Sequence, residues 1–476
     1  MVRENTSLRR AAYRIGKQLL VAASVVPVVL VSPLLLLGQQ SGRATPEEVS
    51  SATAIHLTLH SAVEMALAHN RHIELAHLAV TDSEAQKKVA QSHFYPNIKN
   101  ESAVLHITEL EGVRIPQGAI GDTPATGVLP ANTLVIGQGG ATSYTSGTGL
   151  TQPLTQIFKI RAGVKAADAD LNTARVQSDD TENGVALLVH QLYYGILIEQ
   201  LRGNAAKDAV DAATVVEQET KHGVEDGKLL ADSELTTRTD LLDKQQTALV
   251  SRLNLDDLTL QLDDALGLSL GTHLILDPDS LGEPAVLPTR AEAIALLLIK
   301  SPAILSARQT VDKAQAGVAA ARDEYIPDIT GVARYSYQSG LPFLVHNFGT
   351  FGALFTYNLF DGGEREAKLQ SARIKLTMAQ TQLKQAESDV SIQLSSAYDK
   401  AEQLEQLVGV TTQSLEAREE SFRIQTERLK VDAQLASAVA TARAALTSAH
   451  MNVLNSQLNL SLARNSIRRL LGERPE

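Results

Sequence analysis

Small and apolar residues recur at alternating steps of three and four over much of the C-terminal part of the chain. We call these positions the heptad seam: Leu369, Ala372, Leu376, Ala379, Leu383, Ala386 and Val390, continued in steps of seven by Ala397 and Leu404. The spacing predicts a coiled-coil helix, and alanine in alternate layers lets neighbouring helix axes lie close together. Because no proline occurs between 343 and 474, we predict a long helix over 362–428 and a shorter one that ends at Leu471-Gly472.

A second periodicity precedes the long helix. Between 329 and 337, apolar or aromatic residues alternate with more polar ones, which predicts a strand with two different faces. A similar run follows at 348–358, and the first half of the chain offers 97–108 and 141–152. Nine of the 18 aromatic residues fall between 325 and 360, a concentration typical of a membrane-facing band. A small soluble β-hairpin is the alternative interpretation.

The chain contains two copies of one plan. Residues 57–99 align with 288–330, and residues 150–267 align without a gap with 355–472. Tyr193 then matches Tyr398, and each copy ends in a Leu-Gly pair. Each copy is predicted to contain a short helix, a strand pair, a long helix and a short helix.

These alignments divide the chain into repeat 1, residues 45–280, and repeat 2, residues 281–476. The opening helices are predicted at 57–93 and 289–323, each as one segment. The first copy carries extra residues within 111–149, which are rich in Gly, Pro and Thr and are predicted as a long loop.

The lengths of the predicted segments suggest how they pack. The opening and closing short helices together nearly equal one long helix, so the long helix packs along two stacked short ones. The fold class is therefore mainly α with a small β part. Four strands per chain cannot close a membrane barrel, which needs at least about eight, so if these are membrane strands other subunits must complete the barrel. The sequence pattern does not choose between two and three chains.

The N-terminus has the layout of a secretory signal peptide. Arg9, Arg10, Arg14 and Lys17 precede a mostly apolar run at 19–37, and a plausible cleavage site follows at Ala44. We therefore assign residues 1–44 to a signal peptide. Two prolines inside the run weaken the alternative of an uncleaved anchor helix. After residue 44, no stretch reaches the roughly 20 apolar residues of a membrane-spanning helix.

Composition excludes several functions. The net charge is −11 and the basic residues form no stripe, so nucleic-acid binding is not expected. The chain has no Cys, and no constellation of an enzyme, cofactor site or metal site is readable. The paired carboxylates Asp256-Asp257 and Asp263-Asp264 are interpreted as the solvated face of a helix. We predict no catalytic, cofactor-binding or metal-binding residues.

Several motifs resemble the TolC-like outer-membrane efflux protein family. They are the opening Leu57-Thr58-Leu59, the junction Leu359-Phe360-Asp361-Gly362-Gly363, and the closing Leu-Gly pairs at 266–267 and 471–472. The resemblance covers about residues 55 to 473. It implies a homotrimer in the cell outer membrane, in contact with outer-membrane lipid.

In such a homotrimer, a 12-stranded transmembrane β-barrel is continued by a long α-helical coiled-coil barrel in the periplasm. The resemblance also implies a passive exit duct for an efflux or type I secretion system. Its partners are a periplasmic adaptor (membrane fusion) protein and an inner-membrane pump. The alternative function is a soluble periplasmic coiled-coil adaptor or scaffold protein.

The tip of the helical part is where the chain departs from the family pattern. Some members close the tunnel with Asp residues just after the second tip turn, and those positions fall on Ala438 and Thr441 here. The candidate lining residues of the periplasmic tip are instead Asp232, Glu234 and Asp432. Solvated polar residues on a helix surface are the plainer interpretation of these acids.

Overall fold

The computed structural model describes residues 55–106, 112–137, 142–278, 287–340, 345–430 and 436–475. These ranges belong to the unit Thr53–Glu476. The predicted signal peptide and Asp432, one of the predicted tip residues, lie outside them. The repeat boundaries proposed from the sequence stay a prediction.

Eight helices are described, and they recur in the same order in both halves. The first half contains α1 (Leu59–His69), α2 (Arg71–Ser92), α3 (Ile157–Glu225) and α4 (Ala231–Leu266). The second half contains α5 (Arg290–Lys300), α6 (Pro302–Asp323), α7 (Glu364–Leu429) and α8 (Ala436–Leu470). The long helices α3 and α7 have 69 and 66 residues, which corresponds to about 100 Å each.

Each opening helix is broken, where the sequence pattern predicted one segment. Asn70 has extended backbone, and its side chain accepts a hydrogen bond from the His72 N–H and donates one to the Ala265 carbonyl. Ser301 breaks the second copy, because Pro302 follows it and disfavours helical backbone at the preceding residue. The apolar periodicity continues across both breaks and therefore hides them.

Four long strands form one antiparallel sheet. They are β2 (Asn97–His106), β7 (Thr142–Pro153), β9 (Asp328–Ser339) and β10 (Asn347–Thr356), in the spatial order β10-β9-β7-β2. Each strand pair predicted from the sequence is a hairpin of this sheet, and β7 and β9 join the two hairpins. A parallel pair of short strands, β1 (Ile55–Leu57) and β8 (Leu274–Leu276), lies beside the helices.

The stretch predicted as a long loop contains regular structure. Short strands β3 (Val113–Ile115) and β6 (Leu134–Ile136) pair, and β4 (Gly121–Thr123) pairs with β5 (Gly127–Leu129). In the outer pair, β3 alternates apolar and polar residues and β6 is a short apolar run. The abundance of Gly, Pro and Thr outweighed both signals in the sequence pattern.

The helices pack as their lengths predict. The long helix α3 contacts α1, α2 and α4, and the long helix α7 contacts α5, α6 and α8. Helices α6 and α8 also contact α3 and so join the two halves. Every position of the heptad seam is buried or half-buried, and Leu369 packs with Val318 and Ala321 of α6. No described helix is both long and apolar enough to cross a membrane.

Two tyrosines occupy matching places in the two halves. The Tyr193 hydroxyl is fully buried, lies 2.9 Å from the Leu57 carbonyl oxygen and accepts a hydrogen bond from the Asp277 N–H. The Tyr398 hydroxyl donates to the Pro288 carbonyl at 2.8 Å. Each tyrosine therefore fixes its long helix to the segment that leads into an opening helix.

The closing glycines also occupy matching places. Gly267 and Gly472 end α4 and α8 with φ of +72° and +74°. A Cβ atom at Gly267 would lie 2.8 Å from the His69 carbonyl oxygen, and one at Gly472 would lie 2.7 Å from the Lys300 carbonyl oxygen. Both glycines are required by the left-handed backbone and by the close approach of the residue just before each helix break.

Candidate functional site

The four-stranded sheet has two open edges. β2 forms one edge and β10 forms the other, and all ten residues of each strand are exposed. An edge strand of this length leaves a row of unpaired N–H and C=O groups. The two edges are therefore the part of the sheet that requires a partner.

The helical body has open edges on the same two sides. In the half of the body that contains the turn between α3 and α4, the packing order is α4-α3-α8-α7. In the half nearer the four-stranded sheet, the order is α2-α3-α6-α7. α2 leads into β2, and α7 follows β10. One side of the chain is thus formed by α4, α2 and β2, and the opposite side by α7 and β10.

Helix α4 carries an exposed leucine stripe along this side. Leu235, Leu242 and Leu249 are spaced by seven, as are Leu253 and Leu260, and all five are exposed. The spacing is that of a coiled-coil seam, but α4 packs mainly against α3 within the chain. On the opposite side, α7 exposes apolar residues that include Leu407 and Val410.

The tip is the end of the body where α3 turns into α4. Asp232 and Glu234 lie in the first turn of α4, where Asp232 is exposed and Glu234 is half-buried. Carboxylates are favourable at a helix N-terminus. Ala438 and Thr441 lie near the start of α8, half-buried and exposed respectively. Whether Asp232 and Glu234 line a pore stays a prediction.

Polar contacts tie the two helical hairpins together near this tip. The Ser437 N–H donates to the Glu219 carboxylate of α3 at 3.2 Å, and Thr447 donates to Asp208 at 2.6 Å. In the turn itself, the Lys228 ammonium donates to the Asp226 carboxylate and lowers the pKa of that carboxyl. Charged and hydroxyl groups therefore link the two helical hairpins in this part of the body.

The junction between sheet and helix is held by an arginine between two aromatic rings. The Arg365 guanidinium lies 5.4 Å from the Tyr325 ring centre and 5.2 Å from that of Tyr357. It also donates to the Asp361 carboxylate and to the Asn358 carbonyl. Asp361 belongs to the Asp-Gly-Gly motif, whose role in this chain is to begin α7.

Three buried ionisable side chains were not predicted from the sequence. His190 is 1% exposed, lies edge-to-face against the Tyr194 ring, and approaches Asn465 of α8 at 3.4 Å. Burial lowers the pKa of His190 to about 4. Glu199 of α3 is buried too and accepts hydrogen bonds from Arg202 and Ser251.

Asp263 is the third such group, and its assignment to a solvated face is wrong. It is fully buried, and its carboxylate accepts the N–H groups of Gly271 (2.8 Å) and Thr272 (3.1 Å). Burial raises the pKa of this carboxyl. Its partner Asp264 is exposed and lies 3.7 Å from Arg71.

The described ranges contain no group of three or more His, Cys, Asp or Glu side chains placed to hold a metal ion. Several acids and histidines of these ranges form ion pairs at the surface, such as His77 with Glu182 and Lys313 with Asp170. The features that a function could use are therefore the open edges, the sheet and the tip.

Several solved structures share this fold. The Campylobacter jejuni CmeC outer membrane channel is 16% identical, with a TM-score of 0.69 over 94% of this chain and 96% of that chain. The Vibrio cholerae outer membrane protein VceC is 17% identical, with a TM-score of 0.64 over 88% and 97%. The open-state Neisseria gonorrhoeae MtrE outer membrane channel is 17% identical, with a TM-score of 0.63 over 88% and 90%. The chain therefore shares the fold of these proteins, a helical body joined to a sheet.

The chain belongs to the outer membrane efflux protein family, whose pattern it matches over residues 62–268 and 293–473. It is a subunit of an outer-membrane exit duct for an efflux system, with its helical part in the periplasm. The family is one of channel proteins and not of enzymes. The alternative interpretation as a soluble adaptor or scaffold is wrong. No curated protein sequence matches the chain.

Proposed function

We propose that three copies of the chain close head to tail into a passive duct that performs no chemistry. Each copy supplies four strands to a 12-stranded barrel and its helical body to a tunnel across the periplasm. The observation that carries this proposal is the pair of open sides, α4-α2-β2 and α7-β10. Different surfaces on the two sides favour a heterologous contact that closes into a ring.

The sheet edges fit this closure. β2 and β10 are equal in length at 10 residues, so β10 of one chain matches the full length of β2 in the next. The hydrogen bonds of such a pair satisfy both rows of open backbone groups. Lipid leaves no other partner for these groups, since open sheet edges do not occur in the hydrocarbon region.

The helical edges fit the same closure. Leu253 lies 22 residues after Ala231 at the start of α4, and Leu407 lies 22 residues before Leu429 at the end of α7. Both are therefore about 33 Å from the tip at 1.5 Å per residue. Their side chains are 68% and 46% exposed in the single chain. Contact between them across chains would bury the leucine stripe of α4.

Cysteine cross-linking tests this closure, and the chain offers a clean background because it has no Cys. With Leu253→Cys and Leu407→Cys in one chain, oxidation should yield covalent trimers that a reducing agent dissociates. If the chains instead met in a two-fold dimer, oxidation would yield covalent dimers only, and this result would contradict the ring. Each single variant should give no trimer.

A mismatched pair provides the control. Ile374 is also exposed on α7 but lies 55 residues before Leu429. It is therefore about 50 Å further from the tip than Leu253. Leu253→Cys with Ile374→Cys should not cross-link. Equal cross-linking of both pairs would mean that the reaction reports random collisions.

We also propose that Asp232, Glu234 and Asp432 contribute to an acidic ring at the periplasmic tip. The position of Asp232 and Glu234 in the first turn of α4 supports this. A trivalent cation added on the tip side should block conductance, and Asp232→Asn with Glu234→Gln should weaken the block. An unchanged block in that double variant would remove these two residues from the tip ring.

The proposed partners are a periplasmic adaptor protein and an inner-membrane pump, at the tip. Family membership supports them, and a passive duct needs a partner to supply energy. A tagged chain cross-linked in intact cells should retain an inner-membrane transporter. Its retention should fall when the turn residues Asp226 and Lys228 are replaced by residues of opposite charge. Recovery of this chain alone would contradict the partnership.

A further inference from the structure

Charged residues of the sheet are concentrated on one of its faces. Among the described residues of β2, β7, β9 and β10, the only Lys, Arg, Asp or Glu residues are Lys99, Glu101, Asp328 and Arg334. Asp328 lies at the helical end of the sheet and pairs with Lys159 of α3 at 3.4 Å. The remaining three residues, Lys99, Glu101 and Arg334, lie within the sheet.

The strand register puts these three residues on the same face. One row contains Lys99 and Arg334, which are both paired with Gly149 of β7. The next row on the same face contains Glu101, which is paired with Gly147. The Lys99 ammonium lies 2.8 Å from the Glu101 carboxylate, and the Arg334 guanidinium lies 3.6 Å from it. We call Lys99, Glu101 and Arg334 the charged triad.

Glycine in β7 allows the triad to form across the sheet. The Arg334 side chain starts on β9 and reaches toward β2 over Gly147. A Cβ atom at Gly147 would lie 2.5 Å from the Arg334 Nη2 atom. The Arg334 side chain therefore lies flat against the sheet. About half or more of each triad side chain is exposed.

The opposite face carries no Lys, Arg, Asp or Glu in the described strands. It presents aromatic residues on β9 and β10, including Tyr335 and Phe351, which is 91% exposed. Its polar residues on β2 and β7 bond one another, as in the Ser102–Ser146 contact at 2.9 Å. Because a charged side chain on the lipid side costs about 2–4 kcal/mol at the midplane, this face suits lipid and the triad face suits the pore.

We propose that the charged triad forms a cationic ring inside the barrel and makes this part of the duct favour anionic solutes. The inference rests on the proposed trimer. Lys99 and Arg334 against Glu101 leave one net positive charge per chain, and three chains repeat it around the pore. Neighbouring wall residues Gly147 and Gly149 keep the ring open to solvent. A ring of one charge sign raises the local concentration of counter-ions.

The test is the reversal potential of single channels of the purified protein in a planar bilayer under a KCl gradient. Arg334→Gln removes the net charge and should lower the permeability ratio of chloride to potassium by about twofold or more. Glu101→Gln increases the net charge and should raise the same ratio. Opposite shifts from two neighbouring substitutions cannot arise from a general loss of structure.

Two controls sharpen the result. Arg334→Lys keeps the charge and should preserve the wild-type ratio. Both shifts should also shrink at high salt, because the Debye length falls from about 10 Å at 0.1 M to about 3 Å at 1 M.

Channels of normal conductance with unchanged ratios in both Gln variants, or with shifts in the same direction, would overturn the cationic ring and leave the duct intact. The absence of any channel from the wild-type protein would overturn the proposed trimeric duct and the ring with it.

Discussion

The closing glycines give a direct test of how each repeat is locked. Gly472→Ala places a methyl group 2.7 Å from the Lys300 carbonyl oxygen on backbone with φ of +74°. The left-handed conformation alone costs a non-glycine residue about 1–2 kcal/mol. The contact adds to this cost because the opposing atom belongs to backbone, so we expect a total of about 2–4 kcal/mol. Gly267→Ala should have an effect of the same size.

Gly317→Ala is the matched control. Gly317 lies within α6, is exposed, and a Cβ atom there would meet nothing within 4 Å. Alanine is the better helix former by about 1 kcal/mol. The same substitution should therefore stabilise the protein at Gly317 and destabilise it at Gly472.

The assay is thermal unfolding of the detergent-solubilised protein, followed by helical circular dichroism at one heating rate. A fixed rate is needed because large assemblies often unfold irreversibly. The two closing-glycine variants should unfold several degrees below the wild type, and the control should unfold at or above it. A wild-type midpoint for Gly472→Ala would refute the argument that only glycine fits between α8 and the second helix break.

Three further sets of substitutions test the packing by the same assay. Tyr193→Phe should cost about 1–3 kcal/mol and more than Tyr398→Phe, because the Tyr193 hydroxyl is fully buried and the Tyr398 hydroxyl is not; the reverse order would contradict this. The folded protein keeps His190 neutral down to pH about 4, whereas the unfolded chain takes up the proton near pH 6.5, so stability should fall by up to about 3 kcal/mol as pH drops across that window. His190→Gln should flatten this dependence, and an equal slope in the variant would exclude His190 as its source. Replacing Ala379 and Ala386 by Leu should overpack the heptad seam and destabilise the protein by about 1–3 kcal/mol per site. Unchanged stability and oligomer size in this double variant would contradict the assignment of these positions to a close helix interface.

Periodicity in the sequence was sufficient to predict where the long strands and helices lie. The four strands of the sheet and the long helix α7 begin and end within a few residues of their predicted limits, because each has one repeating pattern and clear flanking signals. The match of Tyr193 with Tyr398 was visible as identity. Its meaning, a hydroxyl bound to the start of each repeat, needed the structure.

Features set by contacts distant in sequence were not predictable. The break at Asn70 depends on the Ala265 carbonyl, 195 residues away, and leaves the apolar pattern of the helix intact. Asp263 looks like a surface residue, because the N–H groups that bind it follow a turn formed only in the fold. The charged triad joins Glu101 to Arg334, and no local pattern predicts that β7 and β9 are neighbours.

All the proposals above depend on the assembly of this chain into a continuous outer-membrane duct. Single-channel conductance of the mature protein in a planar bilayer, with the mass of the detergent-solubilised particle measured alongside, tests it most directly. We expect discrete conductance steps from a particle with three times the mass of the mature chain. A soluble monomer or dimer that produces no conductance would contradict it.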